Sequence, residues 1–168
     1  VRYATFDDLC DYCTLSATPV GELVLRVFDA LTPERLRRSD AVCTALQLAE
    51  HWQDVGEDYA RGRVYLPQED LERFGVGEEE LAGPIPGEGF RRLLAFEVER
   101  ARGILREGVP LVASLRGHAR LAVAGYVGGG RAALDAVERS GYDVLARSPR
   151  AGGARRAASA LSILWEAR

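Results

Sequence analysis

The sequence predicts an all-α protein, and three observations carry that reading. From Pro33 to Tyr59 a run of 27 residues contains no internal proline, enough for a helix roughly 40 Å long. Between Phe90 and Arg106 the apolar residues Phe90, Leu93, Leu94, Phe96, Val98, Ala101, Ile104 and Leu105 recur among charges at helical spacing. No stretch alternates with period two for long enough to build a sheet.

Taken in order, Asp7 or Asp8 starts a first helix. "TPERL" then sets Thr32 as N-cap, Pro33 at the first helical position and Glu34 in the first turn. This long helix is expected to run to about Tyr59 and to end where Gly62 and Pro67 punctuate "ARGRVYLP". "RFGVGEEELAGPIPGEGF" concentrates glycine and proline and reads as a connector with one short helix. After the Phe90–Arg106 helix, two more are expected, at about Pro110–Val127 and Arg131–Ser140, separated by "VGGGR". The tail from Ala146 opens with a Gly/Ser/Arg break, read as solvated and flexible, and closes on apolar residues.

With 168 residues, nearly half of them apolar, the chain can bury one sizeable core and is read as a single domain over 1–168. A net charge of −3 with mixed signs gives no electrostatic case for nucleic-acid binding, although every basic residue is arginine. Three cysteines, an odd number, argue for a reducing compartment and against a disulfide framework, so a cytoplasmic protein is expected. Apolar runs such as "LAVAGYV" are far short of the roughly 20 residues of a membrane span, so any membrane contact is expected to be peripheral, at the inner face. Cys10 and Cys13 in "CDYC" have no second ligand pair at finger-like spacing and read as semi-buried helix cysteines.

The chemistry concentrates on the long helix. At about 100° per residue, Asp40, Thr44, Gln47, His51, Asp54 and Asp58 share one sector, beside an apolar arc that includes Leu48 and Trp52. A solvated face would pair acid with base, yet no arginine lies between Arg38 and Arg61, and like charges at Asp54 and Asp58 repel. Something positive is expected there. Gly56 costs about 1 kcal/mol inside a helix, which points to close approach of another group. Two carboxylates without a helical partner suit Mg2+, which keeps waters and takes phosphate oxygens. Arg61 and Arg63 would then meet diphosphate oxygens, and Tyr65 would add a hydroxyl donor. His51 reads equally well as a substrate contact or as a hydrogen-bonded structural histidine.

"DVGEDYARGRVYLP" at Asp54–Pro67 resembles the second aspartate-rich motif of the squalene/phytoene synthase family, whose members join or rearrange isoprenyl diphosphates. "YCTLSATPVG" at Tyr12–Gly21 and "ERSGYDVL" at Glu138–Leu145 resemble further segments of that family, in order. "LSATPVG", "LQLAEHWQDV" and "GRVYLPQEDLERFGV" look most like the hydroxysqualene-forming branch of the hopanoid pathway. The resemblance implies an all-helical isoprenoid-synthase bundle around a central cavity. It also implies a prenyl diphosphate substrate, presqualene or farnesyl diphosphate, and conversion of presqualene diphosphate to hydroxysqualene with Mg2+ helping diphosphate leave.

By position, the resemblance makes Asp54 and Asp58 metal ligands, has Gln47 line the cavity, and sets Arg63 and Tyr65 at the diphosphate. Tyr12 would face the reacting end, with Ala17, Val20 and Gly21 as small residues along the prenyl chain. Glu50 stands where many relatives have asparagine and is a further candidate ligand; "VGGGR" puts glycine where other branches carry tyrosine. The family's first aspartate-rich motif lies upstream of the matched region, so roughly the C-terminal 60% of a complete enzyme is expected, without its N-terminal helices. The alternatives are condensation of two prenyl diphosphates to presqualene diphosphate or phytoene, or a non-catalytic helical subunit that binds a prenyl diphosphate or a partner synthase.

Overall fold

The computed structural model describes residues 1–167, which leaves the tail's final Arg168 outside them. Nine α-helices and one 3-10 turn make up the regular structure of the described residues, in agreement with the all-α reading. Helix α1 (Phe6–Ser16) starts at Thr5 rather than at an aspartate: the Thr5 hydroxyl accepts from Asp8 N–H while the Asp8 carboxylate accepts from Thr5 N–H. This reciprocal cap satisfies two donors that a helix start leaves unpaired. Helix α2 (Thr18–Val27) follows at once, with Pro19 in its first turn. Helix α3 (Pro33–Gln53) begins as expected, its Thr32 hydroxyl accepting from Arg35 N–H.

The long helix does not run unbroken to Tyr59. Asp54 leaves the helical region (φ −108°, ψ 18°), and a separate α4 (Val55–Ala60) resumes beyond it. A second correction concerns glycine. The break after α7 (Pro110–Ser114) falls at Leu115–Arg116, and α8 (Gly117–Arg139) passes straight through Gly128–Gly130. Those glycines serve packing: a Cβ on Gly128 would strike the backbone at Ser159–Ala160, and one on Gly130 would strike Leu46. The third correction is the length of the break in the tail: helix α9 (Gly153–Glu166) already begins at Gly153, and it packs along α8 through buried Ile163.

Between these lie α5 (Gln68–Phe74), stopped by Gly75 at φ 67°, the 3-10 turn Glu78–Ala82, and α6 (Glu88–Gly108). Helix α3 is central, lying against α1, α2, α6, α7 and α8. The core around it is built from Leu48, Trp52, Phe90, Leu94, Val127 and Leu134, all fully or almost fully buried. Polar clamps fix the layers around that core. Arg102 of α6 reaches Asp135 (2.7 Å) and Glu138 (2.6 Å) of α8, and Arg100 holds buried Asp70 of α5 at 2.9 and 3.3 Å.

Residues 1–4 run beside the loop after α4. Val64 N–H donates to Val1 C=O, and Gln68 N–H to Tyr3 C=O, both at 3.0 Å. This pairing carries Tyr3 to the side chain of Tyr65.

Candidate active site

The site assembles at the C-terminal end of α3. Gln47 and His51 come from its last turns, Asp54 sits at the bend, Asp58 on α4, Arg63 and Tyr65 on the following loop, and Tyr12 on α1. The bend keeps the two aspartates on one turn, because Asp58 N–H still donates to Asp54 C=O at 2.8 Å. Gly56 lies between them, and a Cβ there would overlap the carbonyl of Leu145, so the close approach expected of this glycine is a backbone contact from the turn after α8.

Both carboxylates have a positive partner, and neither partner lies on α3. Arg150 Nη2 donates to both oxygens of Asp54, at 2.8 and 2.9 Å. Arg63 Nη2 donates to Asp58 Oδ1 at 2.9 Å. The two aspartate side chains are only 15% and 11% exposed, so their charges need that neutralisation more than surface carboxylates would. The segment carrying Arg150 is tied across the bend by two further contacts. The Gln53 amide donates to Pro149 C=O, and the Ser148 hydroxyl donates to Glu57 at 2.7 Å.

Arg61 is not drawn to the pair; its guanidinium lies 3.7 Å from Glu57 on the exposed flank. Glu50 is exposed, one turn before Asp54. It is not gathered with the two aspartates: among the described residues no group of three or more His, Cys, Asp or Glu side chains is placed to hold a metal ion. The donor chemistry nonetheless suits Mg2+, a hard cation that takes one or two carboxylates and completes its shell with water and phosphate oxygens. Asp54 and Asp58 therefore fit such an ion as two carboxylate partners, not as a complete cage.

Beside the carboxylates stands an aromatic wall. The His51 ring stacks on Tyr65 with centroids 3.6 Å apart and a 12° tilt. Tyr12 lies 5.8 Å from Tyr65 and 6.1 Å from His51, and Tyr3 completes the cluster 5.5 Å from Tyr12. Burial, then the nearby Arg63 charge, push His51 down to about 4, so its ring is neutral near pH 7. The Gln47 amide lies 3.2 Å from His51 Nε2 and donates to it, which leaves the ring proton on Nδ1, 4.0 Å from Asp58 Oδ2. Burial, then the Tyr12 hydroxyl, push Tyr65 up to about 12, so it stays protonated as well.

A cavity of about 190 Å³ opens between α2, α3, α7 and α8. Val20, Gly21, Val42, Cys43, Leu46 and Tyr126 are among its largely apolar lining. Cys43, Gln47 and Asp54 lie within about 40° of one another around α3, so the Cys43 edge of the cavity and Asp54 lie along one side of that helix, some 16 Å apart along the axis. Val20 and Gly21 are on that lining as expected. Gly21 also lets α2 press onto α3, where a Cβ would meet Ser39 and Cys43. Ala17 sits half-buried at the junction of α1 and α2 and is not on the lining.

Sequence reasoning missed Arg150 and Tyr3. Arg150 is 96 residues from Asp54, and no local spacing signals such a pair. Only the expectation of a positive group near the aspartates pointed toward it.

Comparison with known proteins places this assembly. The family model described as squalene/phytoene synthase matches residues 1–156. The chain is 34% identical over 155 residues to a 15-cis-phytoene synthase of Synechococcus elongatus, covering 85% of this chain and 50% of that protein. It is 35% identical over 117 residues to a hydroxysqualene synthase of Rhodopseudomonas palustris, covering 69% of this chain and 40% of that one. Among solved structures, squalene synthase HpnC from Alicyclobacillus acidocaldarius superposes with a TM-score of 0.81 at 44% identity, over 84% of this chain and 54% of that one. A dehydrosqualene synthase crystallised with a ligand superposes at 0.87 with 25% identity, over 99% and 59%. The chain thus spans about half the length of the curated relatives it matches. With the helical isoprenoid-synthase fold and the family model both covering most of its length, the chain belongs to the squalene/phytoene synthase family.

Proposed function

We propose that this chain forms the second-aspartate wall of a Mg2+-dependent prenyl diphosphate enzyme that converts presqualene diphosphate to hydroxysqualene with loss of diphosphate. The observation that carries the reading is the pair of nearly buried aspartates, each met by a guanidinium, beside a neutral aromatic wall, with an apolar cavity further along α3. Asp54 and Asp58 would hold Mg2+, which when bound offsets charge on the departing diphosphate. Arg63 and Arg150 bring two fixed positive charges to the same place, suited to diphosphate oxygens. The π faces of Tyr12, Tyr65 and Tyr3 offer a carbocation stabilisation without a nucleophile. Keeping His51 neutral matters for the same reason, since an imidazolium in that wall would repel the cation. Gln47 holds the ring in that tautomer. The apolar lining of the cavity suits a prenyl chain.

The similarity to a hydroxysqualene synthase supports this product. The similarity to phytoene synthases over a longer stretch favours a second reading, head-to-head condensation of two prenyl diphosphates. Titration of the chain with presqualene diphosphate tests the site: binding should require Mg2+ and weaken at least about tenfold in Asp54→Asn and Asp58→Asn, from loss of one charge-assisted contact. Binding indifferent to both would end the proposal. Product analysis then separates the two readings, with hydroxysqualene supporting the first and a C–C-coupled product from farnesyl or geranylgeranyl diphosphate supporting the second.

A further inference from the structure

His51 and Asp58 come close in the interior without touching. Their side chains are only 5% and 11% exposed, and His51 Nδ1 lies 4.0 Å from Asp58 Oδ2. That separation is too long for a hydrogen bond and is one that a single water spans with two legs of about 2.8 Å. The roles at the two ends follow from their other partners. The Gln47 amide donates to His51 Nε2, so Nδ1 carries the N–H of the ring. Arg63 Nη2 donates to Asp58 Oδ1 at 2.9 Å, which leaves Oδ2 as the carboxylate oxygen facing His51.

Both residues line one small cavity, together with Arg63, Tyr65 and an apolar remainder. Its volume is about 10 Å³, room for a single water. A third polar group belongs to the same lining: Arg63 Nε is buried without a hydrogen-bond partner. A buried N–H left in that condition costs about 1–3 kcal/mol. One water answers all three groups, accepting from His51 Nδ1–H and Arg63 Nε–H and donating to Asp58 Oδ2, and about three bonds are what a buried water ordinarily makes. Two N–H donors beside one carboxylate oxygen suit a water and repel a cation.

We propose that a single bound water in this cavity joins His51 to Asp58, and that through it His51 is a positioning residue that fixes the plane of the Asp58 carboxylate. The positioning role rests on the reading of Asp58 as a metal ligand; the water does not. Groups that hydrogen-bond a metal ligand from behind change metal affinity by about 10–100-fold. Two variants separate the N–H from the ring: His51→Phe keeps a ring against Tyr65 and removes the donor, whereas His51→Asn removes the ring and returns an N–H near the place of Nδ1. A metal-free crystal structure of the chain should show a water within about 3.2 Å of both His51 Nδ1 and Asp58 Oδ2. The Mg2+ concentration that half-saturates presqualene diphosphate binding, read by calorimetry, should rise about tenfold or more in His51→Phe and stay close to the wild-type value in His51→Asn. Thermal melts establish that both variants are folded. A metal-free structure without that water, or with Nδ1 and Oδ2 in direct contact, would overturn the proposal. So would a Mg2+ requirement unchanged in His51→Phe, or raised equally in both variants, which would make the ring a packing element only. Wild-type binding indifferent to Mg2+ is a different result: it ends the metal reading, while the metal-free structure still decides the water.

Discussion

Replacing one hydrogen by a methyl group at Gly56 tests how the aspartate turn is held. In a helix interior glycine-to-alanine ordinarily gains about 1 kcal/mol, by removing backbone freedom from the unfolded chain. At Gly56 the new Cβ falls on the Leu145 carbonyl, a backbone group that cannot rotate away, so α4 and the turn after α8 have to separate. Overpacking of this kind costs about 1–3 kcal/mol, here at the upper end, for a net loss of about 2 kcal/mol. For a chain of this size that corresponds to a melting temperature lower by about 4–8 °C. Gly125 provides the opposite case: it is exposed on α8 and an added Cβ meets nothing within 4 Å. Gly125→Ala should therefore raise the melting temperature by a few degrees. Circular-dichroism melts and urea titrations of the two variants measure both effects, and the reasoning is refuted if Gly56→Ala is as stable as Gly125→Ala. Because the Leu145 turn leads into Ser148–Arg150, Gly56→Ala should also loosen the Arg150–Asp54 pair.

Buried Glu97 gives a pH signature. Its carboxyl is 0% exposed, and burial, reinforced by neighbouring Asp70, raises it to about 8 despite Arg100 at 3.5 Å. The folded chain therefore holds a proton that the unfolded chain releases near the ordinary value, so stability falls as pH rises toward 8 and levels off above it. His51 works in the other direction, losing stability as pH falls from about 6.5 toward 4, so the window from 6.5 to 8 belongs to Glu97. Melting temperatures across that window should fall in the wild type and flatten in Glu97→Gln; a wild-type profile that is flat or rises there would contradict the assignment. Cys13 is fully buried with its thiol pushed up to about 12 by burial, while Cys10 and Cys43 are only partly buried. Maleimide labelling of the native chain should leave Cys13 unmodified longest, and early labelling of it, seen by peptide mapping, would show that α1 opens readily. Arg63→Gln removes the partner of a nearly buried carboxylate and should destabilise by about 1–3 kcal/mol, read from urea midpoints; a loss below a few tenths would mean that Asp58 is already well solvated.

What the sequence determined by itself lies within a few residues of chain. Thr32 before Pro33, helical spacing from Phe90, and aspartates four apart are local patterns, and local hydrogen bonding enforces them. From these follow the fold class, the shared face of Gln47, His51, Asp54 and Asp58, and the demand for a positive charge and a close neighbour at Gly56. Tertiary structure decided which groups answer that demand: Arg150 and Leu145, each about 90 residues distant along the chain, arrive through the packing of α8 on α3. It also decided that Gly128 and Gly130 would be contact points inside a continuous helix instead of a break, because glycine's cost in a helix is small beside the packing that close approach permits. The same holds for the first turn of α9, Gly153–Arg156, which reads as part of a solvated break until α8 offers a surface on which Ile163 further along can be buried.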